Sequence, residues 1–157
     1  MGTAQKGAHS AVTTRHVLSF TRPAGVKKTL LTAQETTTDA TVDQEAMHGD
    51  GSVAPICVVD GHGSLEWGFS LAQHEYESAI VATARTAGIP IQGEGGLIFN
   101  WTKTSIVDGL TKSTNVVEGC KIGGDNHSTD PAANRRELSG MAVNEMINGA
   151  RRFREAQ

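Results

Sequence analysis

No hydrophobic run in the chain approaches the ~20 residues a membrane-spanning helix needs. The first ten residues contain a lysine but no apolar stretch behind it, so no secretory signal is expected, and the chain reads as a soluble protein made in the cytoplasm. A myristoyl anchor on Gly2 is excluded by Lys6, which stands where the acylation pattern needs Ser or Thr. Cysteine is scarce, with two in 157 residues, which excludes the disulfide framework of a small secreted domain. Phosphate-loop and dinucleotide motifs are lacking too, because GxxxxGK[ST] and GxGxxG do not occur between a strand and a helix. The glycine loops that do occur, at 49–52, 60–63 and 93–96, each carry an acidic residue that would repel phosphate.

Other chemistries fare no better. His48, Asp50, Asp60 and His62 are of metal-ligating type, but they sit in glycine turns where Asp and His are common for conformational reasons. The stretch from Asp125 to Arg136 has calcium-loop composition, yet its sixth position is Asp130 rather than Gly and its twelfth is Arg136 rather than Glu. Ser64 and Ser70 lack a nucleophile-elbow context. We expect no catalysis, no metal and no cofactor.

What the chain has is a composition of 38% hydrophobic residues plus 18 glycines, which fits one folded domain, and a strongly uneven charge. Residues 1–32 carry five basic residues, Lys27 and Lys28 among them, and no acid. Residues 33–94 carry ten acids against Arg85 alone, a net charge of −9, and the remainder sums to +1 with Arg151, Arg152 and Arg154 near its end. A basic front and an acidic middle suit head-to-tail association of copies. Overall negative charge argues against a DNA-binding domain.

Residues 1–14 are small and polar without periodicity and are expected to form an arm, followed by a single β domain over 15–157. Two extended stretches, 16–20 and 26–32, flank a turn at Arg22–Gly25. Over 35–45 the odd positions are Glu35, Thr37, Asp39, Thr41, Asp43 and Glu45. The β-branched residues between them favour a strand, which puts four carboxylates on one face; such a row is tolerated only if water bathes it. Residues 56–59 read as a buried strand ended by a turn at 60–63, with Cys57 in the core. Leu65, Trp67, Phe69 and Leu71 alternate with small polar residues, as do Leu97, Phe99 and Trp101, so two aromatic strands are expected to supply the core. Between them one helix is predicted over about 72–87, capped by Ser70 and Gln73 at its start and by Gly88 at its end. Further strands are expected at 116–122 and 138–143, separated by a long turn from Gly123. Residues 141–148 fit either a capped helix or a hairpin turning at Asn148-Gly149. The fold class is mainly β: an antiparallel sandwich or barrel with one flanking helix. Cys57 and Cys120 are free thiols by default, with a disulfide within or between chains left open.

The run from Glu35 to Val42, the glycine loop after it, the stretch Asp60–Leu71 leading into the helix, Val116–Ile122 and Arg135–Val143 together resemble bacteriophage tail tube proteins of the contractile-tail kind. The tube proteins of type VI secretion are similar in fold. The resemblance implies a virion protein that forms hexameric rings stacked into a hollow tube, with DNA passing through the lumen without specific binding and no membrane insertion. Sheath, baseplate and tail terminator proteins are the implied partners. On this reading Glu35, Asp39, Asp43 and Glu45 face the channel, while Lys27, Lys28, Arg151, Arg152 and Arg154 are candidates for contacts between subunits or rings. A β-sandwich binding or decoration protein that never forms tubes is the alternative, and a small metal-dependent hydrolase would require the glycine-turn His and Asp residues to converge.

Overall fold

A computed structural model describes residues 12–130 and 134–154. Among them run nine strands: β1 (Val12–Arg22), β2 (Ala24–Leu30), β3 (Gln34–Met47), β4 (Cys57–Ala72), β5 (Ile98–Val107), β6 (Leu110–Ser128), β7 (Arg135–Ala142), β8 (Asn144–Ile147) and β9 (Ala150–Arg151). Every pairing is antiparallel, in the order β2-β1-β5-β6-β7-β4-β3, with β8 and β9 continuing beside the first half of β6. The expected mainly β fold with one helical flank is what forms.

The sheet doubles over on itself. β4 and β5 are separated by two strands in the order, yet Trp67 lies edge-on to Phe99 at 5.3 Å and Phe69 lies 4.9 Å from Trp101. The bend falls in β6, whose first half pairs with β5 and whose second half pairs with β7, with register shifts on either side of Cys120. Gly119 (φ 69°) and Gly123 supply the irregular backbone there, as corners of folded sheets require. Gly140 faces this corner so closely that a Cβ would lie 1.9 Å from the Lys121 carbonyl oxygen.

Inside the fold lie Leu65, Trp67, Phe69, Leu71, Leu97, Phe99 and Trp101, all at most 2% exposed, as their alternation predicts. Each indole N–H is satisfied: Trp67 donates to the Met141 carbonyl (3.1 Å) and Trp101 to His16 Nδ1 (3.2 Å). The helical segment is α1 (Gln73–Tyr76), a π-helical turn (Glu77–Val81) and α2 (Ala82–Ala87). It ends as expected at Gly88 in the left-handed conformation, with Ile89 N–H donating to Ala84 O. Its start differs from expectation: no side chain caps it, and Ser70 instead stays in β4, accepting from Arg135 Nε (3.1 Å).

Other expectations are corrected. Residues 12–14 of the expected arm pair with Val107, Ile106 and Ser105, so they belong to β1; residues 1–11 lie outside the described residues. Residues 60–63 do not turn but continue β4, and Gly123–Ser128 continue β6 rather than forming a long turn. The ambiguous 141–148 stretch becomes a hairpin, with Asn148 (φ 50°) and Gly149 (φ 89°) as its two-residue turn.

Candidate assembly surface

β3, the strand with the alternating carboxylates, forms one end of the sheet, and β2, which carries Lys27 and Lys28, forms the other. β3 alternates as expected between half-buried Thr38, Ala40 and Val42 and exposed Asp39, Thr41 and Asp43. All four singled-out acids are exposed, but the structure divides them.

Glu35 and Asp39 stand on the broad face turned away from the core. Asp39 is directly opposite Glu66, which is opposite Met141; next to them runs the row Thr37, Gly68, Ser139 and Gly124. This row forms the floor of a shallow groove of about 590 Å³, rimmed by Asp39 and Glu66, that adjoins a smaller recess bordered by Glu35 and Glu137. The floor is low because only glycines and the short side chains of Thr37 and Ser139 make it up, and the Ser139 hydroxyl leans over Gly124, where a Cβ would lie 2.6 Å from its Oγ. Glu35 joins this face through a bulge in β3, where its φ is 52°. Like charges placed directly opposite, as at Asp39 and Glu66, are held only where solvent screens them.

Asp43 and Glu45 lie beyond the body of the fold. β4 pairs with β7 only from Leu65 onward, so residues 57–64 have β3 alone beside them, and the hairpin they make with β3 projects as a two-stranded arm. Asp43 and Glu45 border a shallow depression there with Val59 and Asp60. Ile56, Val58 and Val59, expected in the core, are 67%, 57% and 46% exposed, and Cys57 is exposed with them.

Arg151 pairs with Glu118 at 3.4 Å. Arg152 donates to Glu145 at 2.5 Å, and Glu145, 1% exposed, also meets Lys103 at 3.6 Å. Burial pulls the Lys103 ammonium below its ordinary pKa, a pull that Glu145 opposes. Phe153 exchanges hydrogen bonds with the Asn144 side chain and rests on Gly63, where a Cβ would come within 2.7 Å of the ring. Residues 151–153 are therefore held against the body of the fold. Among the described residues, Lys27, Lys28 and Arg154 make no ion pair.

Cys57 and Cys120 are both free, and Cys120 is fully buried with its thiol pushed up to about 12 by burial. Asp125 accepts from the Tyr76 hydroxyl (2.6 Å) and Arg136 (2.9 Å), which ties the helix to the sheet. Among the described residues no group of three His, Cys, Asp or Glu side chains converges into a metal-holding cluster, and no helix is long and apolar enough to cross a membrane.

Sequence reasoning missed Glu66 and Glu137 as members of the acidic face. Alternation with Trp67 and Leu138 is the signal that points both outward. It also missed the exposed apolar hairpin, for which residues 56–59 offered no signal: a β-branched run reads alike whether or not a layer covers it.

No family model matches the chain, and no curated protein matches it in sequence. Among solved structures, it is similar to a chain of the cryo-EM structure of the anti-feeding prophage (AFP) baseplate, 6-fold symmetrised, with a TM-score of 0.60 over 87% of this chain and 93% of that one at 10% identity. The two chains share a fold.

Proposed function

We propose that the chain is a structural, non-catalytic subunit of a contractile-tail-like particle, and that it assembles into hexameric rings stacked as a hollow tube whose wall presents the acidic face to the lumen. The observation that carries this reading is the row of exposed carboxylates on an end strand, Glu35 and Asp39 beside Glu66, over a floor of glycine, serine and threonine. A row of like charges is tolerated only on a surface that stays wet, and a water-filled channel is a wet surface on which such a row serves a purpose. Carboxylates repel phosphate, so DNA slides along such a wall without adhering.

Two further features support assembly. The sheet is open, with unpaired backbone along β2 and β3, and long edges of that kind are normally suppressed unless another chain pairs with them. The two edges carry opposite charge, Lys27 and Lys28 on β2 against the acids of β3, as head-to-tail association requires. The shared fold with a chain of a six-fold particle is consistent with six copies per ring. Sheath, baseplate and tail terminator proteins are the partners that follow, and the virion or a virion-like particle is the location.

Electron microscopy of the purified protein at rising concentration, paired with sedimentation velocity, tests the reading. Rings or tubes of uniform bore are expected. A monomer at every concentration and ionic strength refutes it and favours the binding-module alternative.

A further inference from the structure

The structure holds an exposed apolar projection and, elsewhere, an apolar hollow. The projection is the tip of the β3–β4 hairpin, where Met47, Val53, Ile56 and Val58 are 50%, 97%, 67% and 57% exposed. Both sides of the arm carry these residues, since Met47 is paired with Cys57 and Ala46 with Val58, so no rotation of the arm hides them in solvent. A two-stranded hairpin tip without a covering layer is marginal in water, and exposed apolar side chains gathered on such a tip mark a contact site. The hollow is a groove of about 290 Å³ between the start of β2 and α2, walled by Pro23, Val26, Ala82, Thr83 and Ala87 with Lys28 at its rim. No residue of the hairpin lines the groove of its own chain.

We infer that the hairpin tip of one copy seats in the β2–α2 groove of another. The inference rests on the self-assembly reading and specifies a contact that reading leaves open. Charge selects the occupant as well as shape does. Between residues 39 and 60 the chain carries Asp39, Asp43, Glu45, Asp50 and Asp60 and no Lys or Arg. The one charged side chain lining the groove is Lys28, which makes no ion pair among the described residues. An acidic arm with an aliphatic tip is the partner such a groove fits, and this chain supplies one. Projection and groove are different patches of one surface, so the contact can be made heterologously and then propagates from copy to copy, whereas reciprocal exchange would stop at a crosslinked dimer.

A crosslink provides the test, because Cys57 lies in the hairpin and Cys120 is buried and silent. Thr86, an exposed residue of α2, also lines the groove, so Thr86→Cys places a second reactive thiol in its wall. Mild oxidation of the full-length variant is expected to give a ladder of crosslinked multimers on a non-reducing gel, lost when Cys57→Ser is added. In parallel, Ile56→Asp with Val58→Asp changes only exposed positions. It is expected to raise the concentration needed for assembly at least about tenfold, with the thermal melting profile of the dilute protein unchanged. Tubes or rings that form without a ladder, and at the same concentration in the double variant, overturn this contact and leave self-assembly standing. Absence of any assembly in the unmodified protein overturns both.

Discussion

At the scale of single residues, the sheet corner and the buried ring pair are the sensitive points. Gly140 lies against the Lys121 carbonyl, a backbone atom that cannot rotate aside. Gly140→Ala should therefore cost at least about 2 kcal/mol, as overpacked sites do, read as a lowered urea midpoint. His16 accepts a hydrogen bond from the Trp101 indole at Nδ1, and indole only donates, so the imidazole is neutral with its proton on Nε2. Burial, and the Lys103 charge after it, hold its pKa below the ordinary 6.5. A group depressed on folding contributes stability that is present above its unfolded pKa and lost as pH falls toward the folded one. Stability should thus decline as the pH drops below about 6.5, and His16→Gln should flatten that part of the urea-midpoint profile. For Glu75, burial pushes its carboxyl up, but hydrogen bonds from Thr32 Oγ1 and the Leu31 and Thr32 amides, with the nearby His74, bring the net shift below the ordinary value. Its contribution is lost at still lower pH, by the same sign. The two thiols should separate cleanly: a maleimide labels exposed Cys57 in the native protein at neutral pH, whereas Cys120 reacts only after unfolding.

At the scale of elements, period-2 alternation was the most reliable guide. Leu65 to Leu71 and Leu97 to Trp101 place their bulky members inside because a half-buried strand has no other way to satisfy both faces. The same alternation sends Asp39 and Glu66 outward, directly opposite one another. Asp39→Asn should stabilise the dilute protein by a few tenths of a kcal/mol at low salt, an effect that fades as added salt screens the pair; an unchanged melting temperature at low salt would count against the repulsion. Where alternation failed, a long-range pairing had overridden a local signal. The glycines at 61 and 63 suggest a turn, yet β3 pairs through that region with a bulge, and Gly63 is small because Phe153 from the far end of the chain covers it. Asp108-Gly109, a hairpin dipeptide that sequence reasoning passed over, is the turn that joins β5 to β6.

At the scale of the whole molecule, the open sheet, its oppositely charged edges and its projecting hairpin are the features on which the proposed self-assembly rests. If the acidic face lines a tube, Glu35→Lys with Asp39→Lys should leave assembly intact and convert the tubes into ones that retain short DNA at low salt. Unmodified tubes should retain none; equal retention by both would remove the channel role from these residues. Composition and alternation by themselves determined the β class, the aromatic core, the helix and the wet acidic strand face, because each depends on nearest neighbours along the chain and on the two-residue period of a strand. Only the tertiary structure decided which apolar run is covered, which arginines are consumed inside the chain and which strands stand at the edges. Those outcomes depend on which distant segment arrives alongside, and no local pattern at residues 56–59 or 151–154 encodes that.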